Sequence, residues 1–180
     1  KVVVTNKANI KIKKQIPVID LTDYKTWNED NTNLKAMNKR DGLLYCIYTS
    51  GTTGTPKATC VNNDSFVNLL NWYVTEFEIK YDDKILLMAS VCFDLAQKNL
   101  YASLICGGSL FICGSMNINY NYISECISMN NITLLNCTPS AFYPLVNANE
   151  KDKFRKLKTL RKVFLGGEIV NCLKIKSWRK

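Results

Sequence analysis

The feature that most constrains the fold is an alternation of short apolar runs with longer segments of helical periodicity. The runs are rich in β-branched and aromatic residues, and they occupy residues 16–21, 43–49, 84–90, 109–113, 132–137 and 160–165. Helical patterns occupy residues 65–77, 95–106, 120–129 and 139–146. Short runs that are apolar on both sides are typical of strands buried on both faces. The order predicts an α/β fold in which a largely parallel sheet is covered by helices.

Residues with a local conformational role mark several boundaries of these elements. Asn63 or Asp64 can cap the helix that follows them, and Gly107 with its neighbouring glycine can end the next helix. Pro139 can occupy the first turn of a later helix. Residues 22–41 are polar and rich in Asn, Asp and Lys, which indicates a surface connection with at most a short helix.

Composition narrows the partners and the chemistry. The 180-residue chain is 47% apolar with a formal charge of +9, so it can bury a core and favours anionic partners, although charge does not choose among them. It contains no histidine, which excludes histidine zinc ligands and a histidine general base within this chain. The uncharged residues 100–116 are too few for a membrane span and are split by two glycines, so we expect no membrane partner.

The cysteines indicate a cytoplasmic protein rather than a disulfide framework. There are eight, at Cys46, Cys60, Cys92, Cys106, Cys113, Cys126, Cys137 and Cys172. Most lie within apolar runs and none forms a Cys-x-x-Cys motif, so we expect reduced, mostly buried thiols and no metal site. The chain begins with Lys1 and has no signal-peptide pattern, so we expect that it is excised from something longer.

The most specific segment is residues 48–57, with the sequence Tyr-Thr-Ser-Gly-Thr-Thr-Gly-Thr-Pro-Lys directly after an apolar run. Its glycines let the backbone approach a ligand closely, its hydroxyls and amides can donate to phosphate oxygens, and Lys57 adds a positive charge. Pro56 excludes the Walker motif, which needs glycine before its lysine. The alternative is a Gly/Thr turn that joins two strands, but the density of hydroxyls favours a phosphate-binding loop.

This segment resembles the phosphate-binding signature of the adenylate-forming superfamily, which includes acyl-CoA synthetases, luciferases and nonribosomal peptide synthetase adenylation domains. Residues 41–47 and 65–72 are similar to the nonribosomal peptide branch in particular. Two positions depart from the pattern: Ala58 replaces the usual glycine, and Asn63 stands where that branch commonly has histidine. Neither departure removes a phosphate donor.

The resemblance implies the role of each matching residue in the loop. Its phosphate-binding set is Thr49, Ser50, Gly51, Thr52, Thr53, Gly54 and Lys57. Within that set, Lys57 and Thr53 would be catalytic, because they would stabilise charge on the departing pyrophosphate of ATP.

A second motif, Phe93-Asp94-Leu95-Ala96, resembles the family element Phe-Asp-x-Ser, whose aspartate holds the α-ammonium group of an amino-acid substrate. A carboxylate at the start of a helix can bind a cation strongly in a partly dry site. The alternative is that Asp94 is an ordinary helix N-cap.

Residues 132–140 and 163–168 also resemble segments of these adenylation domains. The resemblance implies a substrate pocket lined by Asp94, Leu95, Lys98, Asn136, Phe164 and Gly166. It places adenine beside Gly166, Gly167 and Glu168, although Gly-Gly-Glu alone usually marks a turn.

Lys98 suggests what the substrate side chain is. It lies four residues after Asp94, on the same face of a helix, so the sequence predicts an acidic or strongly hydrogen-bonding substrate such as glutamate or aspartate. The alternative is that Lys98 bends outward to solvent or pairs with Asp94 itself.

The resemblance implies that residues 1–180 form a partial adenylation domain, within the large N-terminal subdomain, that lacks its N-terminal start, its ribose-binding region and the C-terminal subdomain. The full enzyme would adenylate an amino acid with ATP and Mg2+ and load it onto the phosphopantetheine of a carrier protein domain, while this fragment alone would be inactive. One alternative is an acyl-CoA or aryl acid ligase of the same superfamily. Another is a nucleic-acid-binding module built on the basic residues 151–162, but such runs are usually solvated and no aromatic platform accompanies this one.

Overall fold

The structure is a computed structural model. It describes residues 3–5, 16–23, 25, 32, 35, 37, 39–50, 54–113 and 119–178. The chain divides into two compact units, Lys1–Met37 and Asn38–Lys180. In the first unit, strands β1 (Val3–Thr5) and β2 (Val18–Asp20) pair in parallel.

The second unit alternates strands and helices as the sequence predicts. Its elements are β3 (Leu43–Thr49), β4 (Lys57–Asn62), α1 (Asn63–Glu76), β5 (Lys84–Leu87), α2 (Asp94–Cys106), β6 (Ser109–Ile112), α3 (Tyr120–Asn130), β7 (Leu134–Cys137), α4 (Pro139–Asn149) and β8 (Lys162–Leu165). Short 3-10 helices occupy Arg155–Leu157 and Cys172–Ile175. Strands β5 to β8 form a parallel sheet in the order β6-β5-β7-β8, while β3 and β4 form an antiparallel hairpin. The expected α/β class is confirmed.

Helices cover both faces of the parallel sheet. Leu134 packs with Tyr73 of α1 and Ala102 of α2, whereas the next residue, Leu135, packs with Ile127 of α3 and Phe142 of α4. Successive side chains of a strand point to opposite faces, so each strand contributes to both cores. All four residues of β7 are buried, which agrees with the prediction of strands buried on both faces.

The β3–β4 hairpin departs from that prediction. Leu43 and Tyr48 are each 72% exposed, although the apolar run around them predicted a strand buried on both faces. The hairpin rests on α1 through one face, where Tyr45 meets Phe66 edge-to-face at a ring-centroid distance of 5.6 Å. Its other face has no covering layer among the described residues of this unit, and four consecutive residues of β4, from Lys57 to Cys60, are exposed.

The helix ends follow local chemistry, with one correction. The N-cap of α1 is Asn62 rather than Asn63 or Asp64, and its side chain accepts a hydrogen bond from the backbone N–H of Ser65 at 2.8 Å. A cap must have extended backbone before the first helical residue, and the last residue of β4 provides it. Gly107 ends α2 in the left-handed conformation with φ 73°, as predicted.

The prediction of mostly buried cysteines is wrong. All eight thiols are free, but only Cys137 is buried, and four are exposed: Cys46, Cys60, Cys92 and Cys172. An apolar run does not bury its cysteines when the strand lies in a hairpin with one open face. Within the described ranges, no helix has the length and apolar character needed to cross a membrane.

Candidate functional site

The chain adds strands first on one side of β5 and then on the other side. Such a reversal of strand order marks where ligands bind in α/β folds. From β5 the chain crosses through α2 to β6, and it then returns through α3 to β7 on the other side of β5. Helix α2, which follows β5, and helix α4, which follows β7, lie on opposite faces of the sheet. The connections that leave the carboxyl ends of β5 and β7 therefore separate, and a ligand crevice is expected between them. Asn136 lies at this end of β7.

Asn136 is the most unusual polar residue of this region. It is 2% exposed, and it pairs in register with Phe164 on β8 and with Leu87 on β5. Its side chain approaches the Tyr73 hydroxyl, but within the described residues its Nδ2 makes no hydrogen bond of normal geometry. An unsatisfied buried donor costs about 1–3 kcal/mol. A ligand that supplies a hydrogen-bond acceptor would remove that cost.

Tyr73 joins the helical layer to this part of the sheet. Its ring packs edge-to-face against Phe164 and Phe77, with centroid distances of 5.5 Å to each. Its hydroxyl donates to Asn99 Oδ1 at 3.3 Å. Burial raises the pKa of Tyr73 to about 12, although the neighbouring Asn136 side chain opposes that rise. Tyr73 is therefore a neutral phenol, and its ring holds the Phe164 side chain in place.

The start of α2 carries Asp94 as its first residue. The cap position belongs to Phe93, which makes no side-chain cap bond, and Asp94 Oδ1 accepts a hydrogen bond only from the adjacent Leu95 N–H, at 2.8 Å, among the described residues. Asp94 is thus not an ordinary N-cap, and its carboxylate stays exposed at the positive end of a helix dipole. The carboxylate can accept further bonds from a cationic ligand.

Lys98 lies one helical turn farther along α2 and is partly buried. Its Nζ is positioned over the Tyr73 ring, 5.7 Å from the centroid. Burial lowers the pKa of Lys98, while the Asp94 carboxylate acts in the opposite direction. No ion pair within 4.0 Å involves Lys98 among the described residues.

The segment after β8 closes the other side. The Gly166 N–H donates to the carbonyl of Cys137 at 3.2 Å, which extends the pairing of β7 and β8 by one step. A Cβ placed on Gly166 would lie 3.8 Å from Leu95 Cδ1, so these two residues are neighbours across the crevice. The absence of a side chain at position 166 leaves room beside Leu95.

These contacts bring the predicted substrate-binding residues together. We call the set the α2–β7–β8 cluster, and its members are Asp94, Leu95, Lys98, Asn136, Phe164 and Gly166. Tyr73 belongs beside them, but the sequence shows it only as one apolar position of a helix.

Glu168 has a structural partner. Its carboxylate accepts hydrogen bonds from the backbone N–H and the hydroxyl of Ser140, at 3.0 and 2.6 Å, in the first turn of α4. Gly167, just before it, has φ 84°, a conformation that glycine adopts without strain. The carboxylate is therefore occupied at α4, while Gly167 and Glu168 themselves are exposed.

The phosphate-loop prediction falls partly outside the described residues, because Gly51, Thr52 and Thr53 are not among them. The ends of the loop are described. Thr49 pairs with Lys57 at the end of the hairpin that the loop connects, and its hydroxyl donates to the Lys57 carbonyl at 3.4 Å. Gly54 has φ 76° and open space where a Cβ would be. The loop joins two antiparallel strands, a geometry that both the turn and the phosphate-loop interpretations allow.

The basic run at residues 151–162 contributes to the fold. Lys156 pairs with Glu125 at 2.6 Å, and Arg161 pairs with the buried Asp83 at 2.5 Å. These contacts do not favour an open nucleic-acid surface. No group of three or more metal-ligating side chains occurs among the described residues.

Comparison with known proteins gives the family. The family described as "AMP-binding enzyme" matches residues 1–179. Surfactin synthase subunit 2 of Bacillus subtilis (strain 168) is 31% identical over 164 residues, which cover 91% of this chain and 5% of that protein. Bacitracin synthase 3 of Bacillus licheniformis is 34% identical over 148 residues, which cover 82% of this chain and 2% of that protein. The chain therefore spans a small fraction of these relatives.

Solved structures show the same fold. A crystal structure of the nonribosomal peptide synthetase FmoA3 matches with a TM-score of 0.89 and 21% identity, covering 99% of this chain and 19% of that one. The N-terminal subdomain of Klebsiella oxytoca NpsA matches with a TM-score of 0.81 and 18% identity, covering 98% of this chain and 44% of that one. This chain thus has the fold of one part of such an N-terminal subdomain, and it belongs to the AMP-binding enzyme family.

Proposed function

We propose that this chain supplies the phosphate-binding loop and the amino-acid pocket of an AMP-forming ligase in nonribosomal peptide synthesis. The observation that carries the proposal is the α2–β7–β8 cluster, which combines the exposed first-turn carboxylate of Asp94 with the unsatisfied buried amide of Asn136. The first suits an α-ammonium group and the second suits an acceptor on the substrate side chain. The similarity to surfactin and bacitracin synthases supports the same proposal.

In the proposed reaction, a substrate carboxylate oxygen bonds to the α-phosphorus of ATP while the bond to the β-phosphate oxygen breaks. The products are an aminoacyl adenylate and pyrophosphate. Asp94 holds the α-ammonium group, and residues 49–57 orient the β- and γ-phosphates, with Lys57 and Thr53 stabilising the charge that leaves. The backbone of residues 166–168 lies beside the adenine.

Two further groups complete the proposed reaction. Mg2+ bound to ATP would supply additional neutralisation of the phosphates, and we assign it no ligand among the described residues. The phosphopantetheine thiol of a carrier protein domain would then lose its proton and attack the aminoacyl carbonyl, so that a thioester forms and AMP leaves.

We further propose that the substrate side chain is acidic. Lys98 supplies a partly buried ammonium group without a carboxylate partner within 4.0 Å in the described part of the chain, and Asn136 supplies the unsatisfied N–H. The carboxylate of glutamate or aspartate would pair with the ammonium group and accept a hydrogen bond from the N–H, whereas an apolar side chain would leave both groups unpaired.

The test is ATP–pyrophosphate exchange with the full-length protein that contains this chain, using a panel of amino, fatty and aryl acids. Asp94→Ala is expected to reduce amino-acid-dependent exchange by about 10- to 100-fold, which corresponds to one charge-assisted hydrogen bond. Asp64→Ala is the matched control, because it removes the first-turn carboxylate of α1 instead. Undiminished amino-acid-dependent exchange in Asp94→Ala would show that Asp94 does not hold the α-ammonium group. Exchange only with fatty or aryl acids would assign the protein to the acyl or aryl ligases.

A further inference from the structure

The exposed face of the β3–β4 hairpin carries two cysteines directly opposite each other. Cys46 and Cys60 are register partners on the antiparallel strands, and their sulfur atoms are 3.3 Å apart, with the Cys60 thiol donating to Cys46 Sγ. Both thiols are free and exposed. The proposed adenylation reaction uses neither of them.

The register of the two strands places the two cysteines within reach of a disulfide. Directly opposite residues of an antiparallel pair have Cα atoms about 4.5–5.5 Å apart, and disulfides span Cα separations of about 4.4–6.8 Å. The pairing is continuous from Tyr45 with Val61 to Thr49 with Lys57, so the two cysteines sit inside a regular ladder. We propose that Cys46 and Cys60 form a thiol–disulfide redox site that small-molecule disulfides oxidise to a cross-strand bond.

The chemistry requires only the two thiols and a disulfide oxidant such as glutathione disulfide. One cysteine, as its thiolate, attacks a sulfur of the oxidant and expels the first glutathione thiolate. The second cysteine loses its proton and attacks the mixed disulfide, which expels the second glutathione. Two protein thiols become one disulfide, and one glutathione disulfide becomes two glutathione thiols.

The close approach of the two sulfurs also orders these steps. The hydrogen bond with Cys60 raises the pKa of Cys46, and desolvation and the charge of a Cys60 thiolate act in the same direction. The two thiols therefore do not ionise together. One attacks first, and its neighbour remains a thiol within reach of the mixed disulfide.

The proposed bond would enclose the whole of residues 49–57. Both described ends of that loop, Thr49 and Lys57, lie three residues from a cysteine of the pair. Oxidation would therefore join the two strands covalently three residues before the loop begins and three residues after it ends. The redox site itself does not depend on the proposed ATP chemistry.

Peptide mapping of the full-length protein tests the site. Trypsin cleaves after Arg40, Lys57 and Lys80, so Cys46 and Cys60 fall in separate peptides, residues 41–57 and 58–80, with one cysteine each. After incubation with glutathione disulfide and alkylation of remaining thiols, we expect these two peptides to appear linked in the mass spectrum and to separate on reduction.

Two variants show whether the link depends on this pair of cysteines. Cys46→Ser is expected to abolish the link and to leave Cys60 alkylated or glutathionylated, whereas Cys92→Ser, which removes an exposed cysteine elsewhere, is expected to leave the link intact. Recovery of both wild-type peptides as alkylated or glutathionylated species without a link would overturn the proposal, and that measurement needs no variant to fold.

Discussion

The ammonium nitrogen of Lys98 lies 5.7 Å from the centre of the Tyr73 ring, within the range of a cation–π contact. Lys98 therefore neither extends into solvent nor forms a close ion pair with Asp94, which were the alternatives open from the sequence. The aromatic face holds the charge at the α2–β7–β8 cluster but does not neutralise it. In the function proposed above, the carboxylate of the substrate side chain supplies the counter-charge.

This arrangement predicts how Lys98→Met changes substrate choice. Exchange with glutamate or aspartate is expected to fall at least about tenfold, because a charge-assisted hydrogen bond contributes about 1.5–3 kcal/mol. Exchange with methionine or leucine is expected to rise in the same variant. The measurement is pyrophosphate exchange across an amino-acid panel, with Lys158→Met as the exposed control. Preference of the unmodified protein for leucine or phenylalanine would show the acidic-substrate proposal to be wrong.

The loop at residues 49–57 predicts a separate loss. Lys57→Ala and Thr53→Ala are each expected to slow pyrophosphate exchange by about 100-fold, because each removes a donor to the departing phosphates worth about 3 kcal/mol. Lys151→Ala, which removes an exposed lysine from another surface, is expected to leave the rate unchanged. Equal rates in all three variants would remove the phosphate assignment while leaving the fold intact.

The contact between Gly166 and Leu95 predicts a graded effect of side-chain size. A Cβ on Gly166 meets Leu95 Cδ1 at 3.8 Å, an ordinary van der Waals distance, so Gly166→Ala is expected to be tolerated. Gly166→Leu is expected to fill the space and raise the KM for the amino acid at least tenfold, and to raise it more than the KM for ATP. Thermal unfolding of both variants checks that the fold is retained, and an unchanged amino-acid KM in Gly166→Leu would place the substrate elsewhere.

Asp83 predicts acid sensitivity of the fold. Burial alone would raise the pKa of Asp83, but hydrogen bonds from the Lys80 N–H, the Thr133 hydroxyl and Arg161 outweigh it and hold that pKa below its usual value. The stabilisation is therefore present above the unfolded pKa of about 3.9 and is lost as the pH falls through the folded pKa.

The matching variant is Asp83→Asn. At pH 7 it is expected to lower the free energy of unfolding by about 1–3 kcal/mol, because it leaves the partly exposed Arg161 without its buried partner. The difference from the unmodified protein is expected to shrink as the pH falls from about 4 through the lowered folded pKa of Asp83, below which both carry a neutral side chain at this position. Urea unfolding at several pH values measures it, with the exposed Asp82→Asn as control. A difference that does not change with pH would contradict the assigned ion pair.

The sequence predicts the sheet well because its strands are short apolar runs between strong helical patterns. The family resemblance also predicts that Lys98, Asn136 and Phe164 belong to one site. In the structure, Asn136 of β7 and Phe164 of β8 are register partners. The sequence does not predict Tyr73 as a neighbour of the site. Periodicity identifies the inward face of α1, but it does not show which strand residue that face contacts. Only the packed structure shows that its ring meets Phe164.

Burial was predicted less well than secondary structure. Cys46 and Cys60 lie in apolar or β-branched surroundings, yet both are exposed. An apolar run shows that a strand is favoured, but the number of layers packed on that strand depends on where the chain returns. For the hairpin, α1 covers one face, and the other stays open among the described residues of the unit.

Helix α2 divides its residues between two tasks. Ala96, Asn99 and Ala102 are fully buried along the side that fixes the helix in place, whereas Leu95 and Lys98 are partly open beside the crevice. Mutations at the second pair can therefore accumulate without disturbing the contacts made by the first. In the proposed pocket, this separation lets gene copies of the domain diverge in the molecule that they select while they inherit the same scaffold.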